Sequence, residues 1–221
     1  MVKYVVKLLV SVFCLAGVSF NAYAYDNGDF QIWNTEAEDI KIGKDTKLTM
    51  EQEFRWGVNA SELFYQHYDW GFTWAFDKRL EIAPGYRLVF ERYKTKWRES
   101  DEPFLNITPK IDLWGFKLDD RNRIEYRHFR FADDQARYRN RLTVKYPFAF
   151  HSIKIAPYVA NEIFISSNGT GYNQNRFQSG LEFELTKYVK TDISYMMQQV
   201  KGKNDKWAEA NVLWIKIKVA F

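Results

Sequence analysis

The sequence predicts an all-β fold: a transmembrane antiparallel up-and-down β-barrel of about ten strands, with twelve as the alternative. Three observations carry that reading. The chain begins with an export signal. Apolar and polar residues alternate with a period of two almost everywhere after it. Aromatic residues reach 18% in a chain whose mean hydropathy is negative, so apolar and polar side chains must be separated finely, which alternation along a strand does.

The export signal is read from residues 1–24. Lys3 and Lys7 form a positive start, residues 8–20 are mostly apolar, and Ala22-Tyr23-Ala24 fits an A-x-A cleavage site. About 13 apolar residues are too few for a membrane helix, which needs about 20. Cys14 lies inside the segment, whereas a lipidated cysteine would follow the cleavage point, where Tyr25 stands. Residues 25–221 therefore form one domain without cysteine, and burial and backbone pairing must stabilise it without disulfides. Removing Lys3 and Lys7 leaves 30 basic against 28 acidic residues. That balance excludes a nucleic-acid partner.

The clearest strand is the last. Leu213, Ile215, Ile217, Val219 and Phe221 share one face, and Lys216 and Lys218 fall on the other. Tyr68, Trp70, Phe72, Trp74 and Phe76, with Phe64, oppose Tyr65, His67, Asp69 and Thr73. Ile124 and Tyr126 oppose Arg123, Glu125 and Arg127; Tyr138, Leu142 and Val144 oppose Arg139, Arg141 and Lys145. The pattern places strands at 47–57, 62–76, 80–93, 104–117, 121–131, 137–147, 152–165, 175–185, 189–200 and 207–221. A further alternating piece covers 29–42. Tight connections (77–78, 117–120, 148–151, 186–188) then alternate with longer polar loops (57–61, 94–103, 132–136, 166–174, 201–206). Outer-membrane barrels have short periplasmic turns and longer outside loops. That topology leaves 25–46 in the periplasm or folded into the lumen, and if 29–42 joins the wall the count becomes odd.

Alternation does not say which face is inside, since a secreted lipocalin-like barrel turns its apolar face inward. Dense mixed charge on the polar face suits a wet or ion-paired lumen. Strands of about 9–15 residues exceed the 5–6 usual in soluble sheets and cover the 9–11 that cross a bilayer. Tyr and Trp recur near the ends of the apolar faces, as interfacial girdles do. These features place the chain in the outer membrane, with membrane lipids as its solvent. The terminal Phe221 resembles the signal by which bacterial outer-membrane proteins reach their assembly machinery.

The segments Arg123-Ile124-Glu125-Tyr126-Arg127, Arg137-Tyr138-Arg139-Asn140-Arg141-Leu142, Asn161-Glu162-Ile163-Phe164 and Asn175-Arg176-Phe177 resemble those of an uncharacterised bacterial outer-membrane family known only as a domain of unknown function. Phe30-Gln31-Ile32-Trp33, Glu51-Gln52-Glu53-Phe54-Arg55 and Gly85-Tyr86-Arg87 extend the resemblance over nearly the whole mature chain. It implies a barrel and no substrate. More distantly, the charge pattern is similar to oligogalacturonate-type porins, whose lumens carry arginine rows; this is likeness of design only.

The inward charge is the main chemical feature. Arg55, Arg87, Arg123, Glu125, Arg127, Arg137, Arg139, Arg141, Glu162 and Arg176 are expected to line the lumen and to be the residues a solute would touch. Guanidinium forks pair bidentately with carboxylates or phosphates. In one use, Arg and Glu cross-link strands and plug a narrow barrel, which suits most individual pairs. In the other, arginines on one wall and acids on the opposite wall set a field across a pore that selects small anionic or zwitterionic solutes. The expected function is thus a small channel, with a non-conducting structural or envelope-interaction barrel as the alternative. No enzyme is expected, because no serine motif accompanies His67, His128 or His151 in the manner of a hydrolase. No cofactor is expected. No His, Asp and Glu share metal-ligand spacing, and Asp119-Asp120 and Asp133-Asp134 read as turn charges.

Overall fold

A computed structural model describes residues 27–150, 153–202 and 205–221. The expected signal segment lies outside them. Twelve strands follow in order: β1 (Asp29–Lys41), β2 (Thr46–Gly57), β3 (Glu62–Asp77), β4 (Leu80–Tyr93), β5 (Lys96–Leu113), β6 (Phe116–Phe129), β7 (Gln135–Lys145), β8 (Phe148–Phe150), β9 (Ile153–Ser166), β10 (Gly171–Glu184), β11 (Val189–Lys201) and β12 (Trp207–Ala220).

Eleven of them form a closed wall, and β8 is the twelfth element. Each strand pairs antiparallel with the next, β7 pairing with β9, until β12 meets β1. That last pairing is parallel, in register from Asp29↔Ala210 to Asp39↔Ala220. The geometry requires it, because an odd number of alternating strands gives the first and last the same direction. Lipid leaves no solvent for an unpaired strand edge, so β1 belongs in the wall and not in the periplasm or lumen. β8 continues the ladder of β7 along β9, with Phe148↔Ile155 after Lys145↔Tyr158. Pro147 lies in the break and has no N–H to donate.

β1 begins and β12 ends at opposite rims, called here the N-terminal and C-terminal rims. At the N-terminal rim the connections run from two to five residues, at the C-terminal rim from two to four. The expected contrast of long and short loops is therefore absent. Residues 96–103, read as loop, are the start of β5. Asp119-Asp120, read as turn, lie inside β6, with the turn at Trp114-Gly115 instead. Both central residues of that turn have positive φ, 51° and 85°, as a two-residue hairpin of matching twist requires. A run of charges marks a loop in a soluble protein; in a barrel with a polar lumen it also marks wall.

The orientation follows the alternation. Ile124 is 60% exposed, while its neighbours Arg123 and Glu125 are 6% and 1% exposed. Trp70, Phe72, Trp74 and Phe76 of β3 likewise face outward, and most of the buried residues are polar or charged. Phe64 departs from the pattern. A bulge pairs Arg55 with Tyr65 and Trp56 with Leu63, so Phe64 drops out of the outward series and is buried.

One glycine shapes the interior. Gly85 of β4 pairs with Phe104 of β5, and a Cβ at Gly85 would collide with the Phe104 ring. The ring covers the glycine, and the Arg123 guanidinium stacks on it at 4.1 Å. Gly85→Val is expected to push the ring into Arg123 and to destabilise the barrel by about 1–3 kcal/mol, as overpacking does. Urea unfolding in detergent micelles checks this, and an unchanged midpoint would contradict the close packing.

Candidate functional site in the lumen

All ten residues expected to line the lumen face it, because each shares the parity of its strand's inward side. Arg55, Arg87, Arg123, Glu125, Arg139, Glu162 and Arg176 are buried, and Arg127, Arg137 and Arg141 half-buried. Two glutamates organise them. Glu125 is bridged by Arg137 at 2.6 Å, Arg139 at 2.8 Å and Arg123 at 3.4 Å. Glu162 is bridged by Arg121 at 2.7 Å, Arg139 at 2.8 Å and Arg176 at 3.7 Å. Arg139 therefore joins the two hubs. Strand register brings this about, since Glu125 pairs with Arg137 between β6 and β7, and Arg141 with Glu162 between β7 and β9.

Sequence reasoning missed three contributors. Glu102 lies in the segment read as loop; it is 1% exposed and takes Arg127 at 2.7 Å and Arg137 at 3.6 Å. Arg121, read as the first residue after a turn, bridges Glu162. The third contributor is a set of inward aromatics. Arg55 sits between Trp33 and Tyr65, at 3.7 and 3.9 Å from the two ring centres. Phe164 takes Arg139 at 4.7 Å and Arg176 at 4.8 Å. Such stacking stabilises desolvated guanidinium groups. The available signal was parity: Trp33 shares the face of Gln31 and Thr35, and Phe164 that of Glu162 and Ser166.

The acidic sector faces this wall. Arg87 grips Asp69 with two hydrogen bonds of 2.6 Å. Glu53 accepts from Arg55 at 2.7 Å and Thr35 at 2.7 Å. Glu51 pairs with Lys216 of β12. Between the three carboxylates lies His67, 1% exposed, with Nε2 3.4 Å from Glu51. Glu51, His67 and Asp69 could together hold a metal ion, their ligand atoms lying within 4.8 Å of one another. Sequence spacing did not show this set, because it is assembled across β2 and β3. Each of its carboxylates already has a cation, so a metal would compete with Lys216 and Arg87. His128 faces outward at the N-terminal rim, with Nδ1 2.9 Å from Asp134. Asp134 lies in the 130–134 connection, and hydrogen bonds from His128 and then Tyr126 hold its carboxyl below the usual carboxylate range. His151 lies outside the described residues.

Cation type is sorted along the barrel axis. The arginines occupy the packed middle, whereas Lys47, Lys110, Lys145, Lys190, Lys216 and Lys218 project inward near the C-terminal rim, with 24–48% of each side chain exposed. A strongly hydrated ammonium suits the wet mouth, and a weakly hydrated, forked guanidinium suits the dry belt. The remaining space includes a cavity of about 140 Å³ between the arginine wall and the acidic sector. A second, of about 280 Å³, lies nearer the C-terminal rim.

Among solved structures, LpxR from Salmonella typhimurium is similar to this chain, with a TM-score of 0.50 and 8% sequence identity over 78% of the chain and 83% of LpxR. At that identity the likeness concerns the fold, a β-barrel of outer-membrane type. The expectation that the chain is no enzyme does not stand, because the fold it shares with LpxR carries no such exclusion. No curated protein matches the chain. Residues 30–209, from β1 into β12, match the family described as protein of unknown function DUF2490, and the chain belongs to that family.

Proposed function

We propose that the protein is a sealed barrel of the outer membrane, closed by its own ion pairs, that serves the envelope as a structural or interaction protein and does not conduct solutes. One observation carries this reading. Glu102, Glu125 and Glu162 are 1–2% exposed, and each is bridged inside the lumen by two or three arginines of its own and nearby strands. Arginines expected to meet a passing solute are largely spent on internal carboxylates. The outward belt of Trp, Phe, Leu and Ile supports insertion in lipid. Phe221 is 61% exposed, and its backbone bonds to Asp39 and Lys41 of β1 anchor the chain end at the rim. A terminal signal for the assembly machinery would be accessible there.

The channel for small anionic or zwitterionic solutes makes the opposite prediction. In planar bilayers the wild-type protein is expected to give no discrete openings. The double variant Glu125→Ala with Arg139→Ala, which removes the hub without changing net charge, is expected to conduct. Regular wild-type openings whose anion preference falls in Arg139→Ala would overturn the sealed reading and restore the channel.

A further inference from the structure

The charge of the belt does not balance. Arg121, Arg123, Arg127, Arg137, Arg139, Arg141 and Arg176 gather around three carboxylates, Glu102, Glu125 and Glu162. Asp119 and Asp192 face Arg121 and Arg141 from the wider cavity. Counting both still leaves positive charge in excess. The acids on the far wall do not cancel it, because Glu51, Glu53 and Asp69 are each matched to Lys216, Arg55 and Arg87.

The excess is localised. Arg141 donates to Gln178 Oε1 at 2.6 Å and has no carboxylate within ion-pair distance among the described residues. Arg121 has a buried Nε with no acceptor. Arg123 spends one hydrogen bond of 2.7 Å on Asn106 and reaches Glu125 only at 3.4 Å. A guanidinium has five N–H donors, so all three keep donors in hand. The three line the 140 Å³ cavity together, and Arg121 and Arg141 also line the wider one, with Lys110 and Lys145. Cations drawn partly out of water and short of counter-charge are stabilised when an anion joins them. The inner cavity is smaller than the roughly 300–1,000 Å³ of drug-sized sites.

We propose that this inner cavity binds a phosphate-class oxyanion, held by the forks of Arg121, Arg123 and Arg141 and entered from the C-terminal rim past the lysines. Tetrahedral oxygens match several guanidinium forks at once, as a single carboxylate does not. The proposal uses the sealed reading only for its single entrance. The ligand is either free phosphate or the phosphate of a larger molecule reaching in from the rim.

The test uses the full mature chain folded in detergent micelles, with calorimetric titration of inorganic phosphate and, separately, of glycerol 3-phosphate in chloride buffer. Saturable binding of inorganic phosphate is expected, weakened at least tenfold in Arg141→Gln and unchanged in Lys154→Gln, which is exposed outside the cavity. Arg141→Lys keeps the charge without the fork and should fall between. Tighter binding of glycerol 3-phosphate than of phosphate would assign the site to an esterified phosphate, and the reverse to the free ion. Arg141 makes one side-chain hydrogen bond and a 5.6 Å contact with the Trp214 ring, so its variants should fold even if those of Arg121 do not. Absence of saturable heat with both ligands, or an Arg141→Gln variant that binds like wild type, would overturn the proposal. Bilayer recordings are independent: a conducting barrel that binds phosphate through Arg141 keeps this site and loses the seal, and a silent barrel without binding does the reverse.

Discussion

Glu162→Gln is expected to destabilise the barrel by about 3–5 kcal/mol, the range seen when one partner of a buried ion pair is removed. Glu162 is 2% exposed and is the shared counter-charge of Arg121, Arg139 and Arg176. The amide keeps the shape and removes the charge, leaving Arg139 with Glu125 alone. The solvated Lys154–Glu184 bridge at 2.8 Å is the contrast. Glu184→Gln should change stability by at most about 1 kcal/mol, because water and salt screen such pairs. Urea unfolding of both variants in lipid vesicles measures the difference. If Glu162→Gln lost no more than Glu184→Gln, the belt would not be holding the lumen closed.

Ile124→Arg is the second large effect, and it examines the wall from the other side. Arg123 and Glu125 flank this position and are accommodated inside, whereas Ile124 is 60% exposed outward. An arginine on the lipid face near the bilayer midplane costs about 2–4 kcal/mol. The variant should therefore fold with a lower unfolding midpoint in vesicles than Ile124→Ala, which removes only apolar area. Equal midpoints for the two would mean that the apolar face does not meet hydrocarbon. The same side chain one residue away is thus stabilising or destabilising according to the side of the wall on which it falls.

The sorting of Lys from Arg ties these predictions to the lumen's two environments. Where the barrel is wet, ammonium groups pair with single carboxylates and stay partly exposed. Where it is packed, guanidinium groups stack on Trp33, Tyr65 and Phe164 and share carboxylates. Exchanging the two cation types would misplace both, since a buried ammonium cannot reproduce the fork or the stacking.

The sequence by itself determined that the chain is a barrel and, apart from Phe64 at a bulge and the stretch 96–103 read as loop, which side of each strand turns inward. Period-two alternation is a local property, and the contrast between Ile124 and its neighbours needs no partner strand to be read. It did not determine closure. Whether 29–42 lies in the wall depends on an edge of β12 that no local pattern describes, and the eleven-strand count with its parallel seam appears only when the ring is complete. Nor did it determine which charges meet. Glu162 is 41 residues from Arg121 and 23 from Arg139, and strand register and barrel curvature, set by the whole wall, bring them together. Glu102 was hidden for a related reason: its charged stretch has the composition of a loop, and only a polar lumen turns such a stretch into wall. The Glu51, His67 and Asp69 cluster, likewise, is made by pairing β2 with β3. Local chemistry chose the faces; the closed sheet chose the partners.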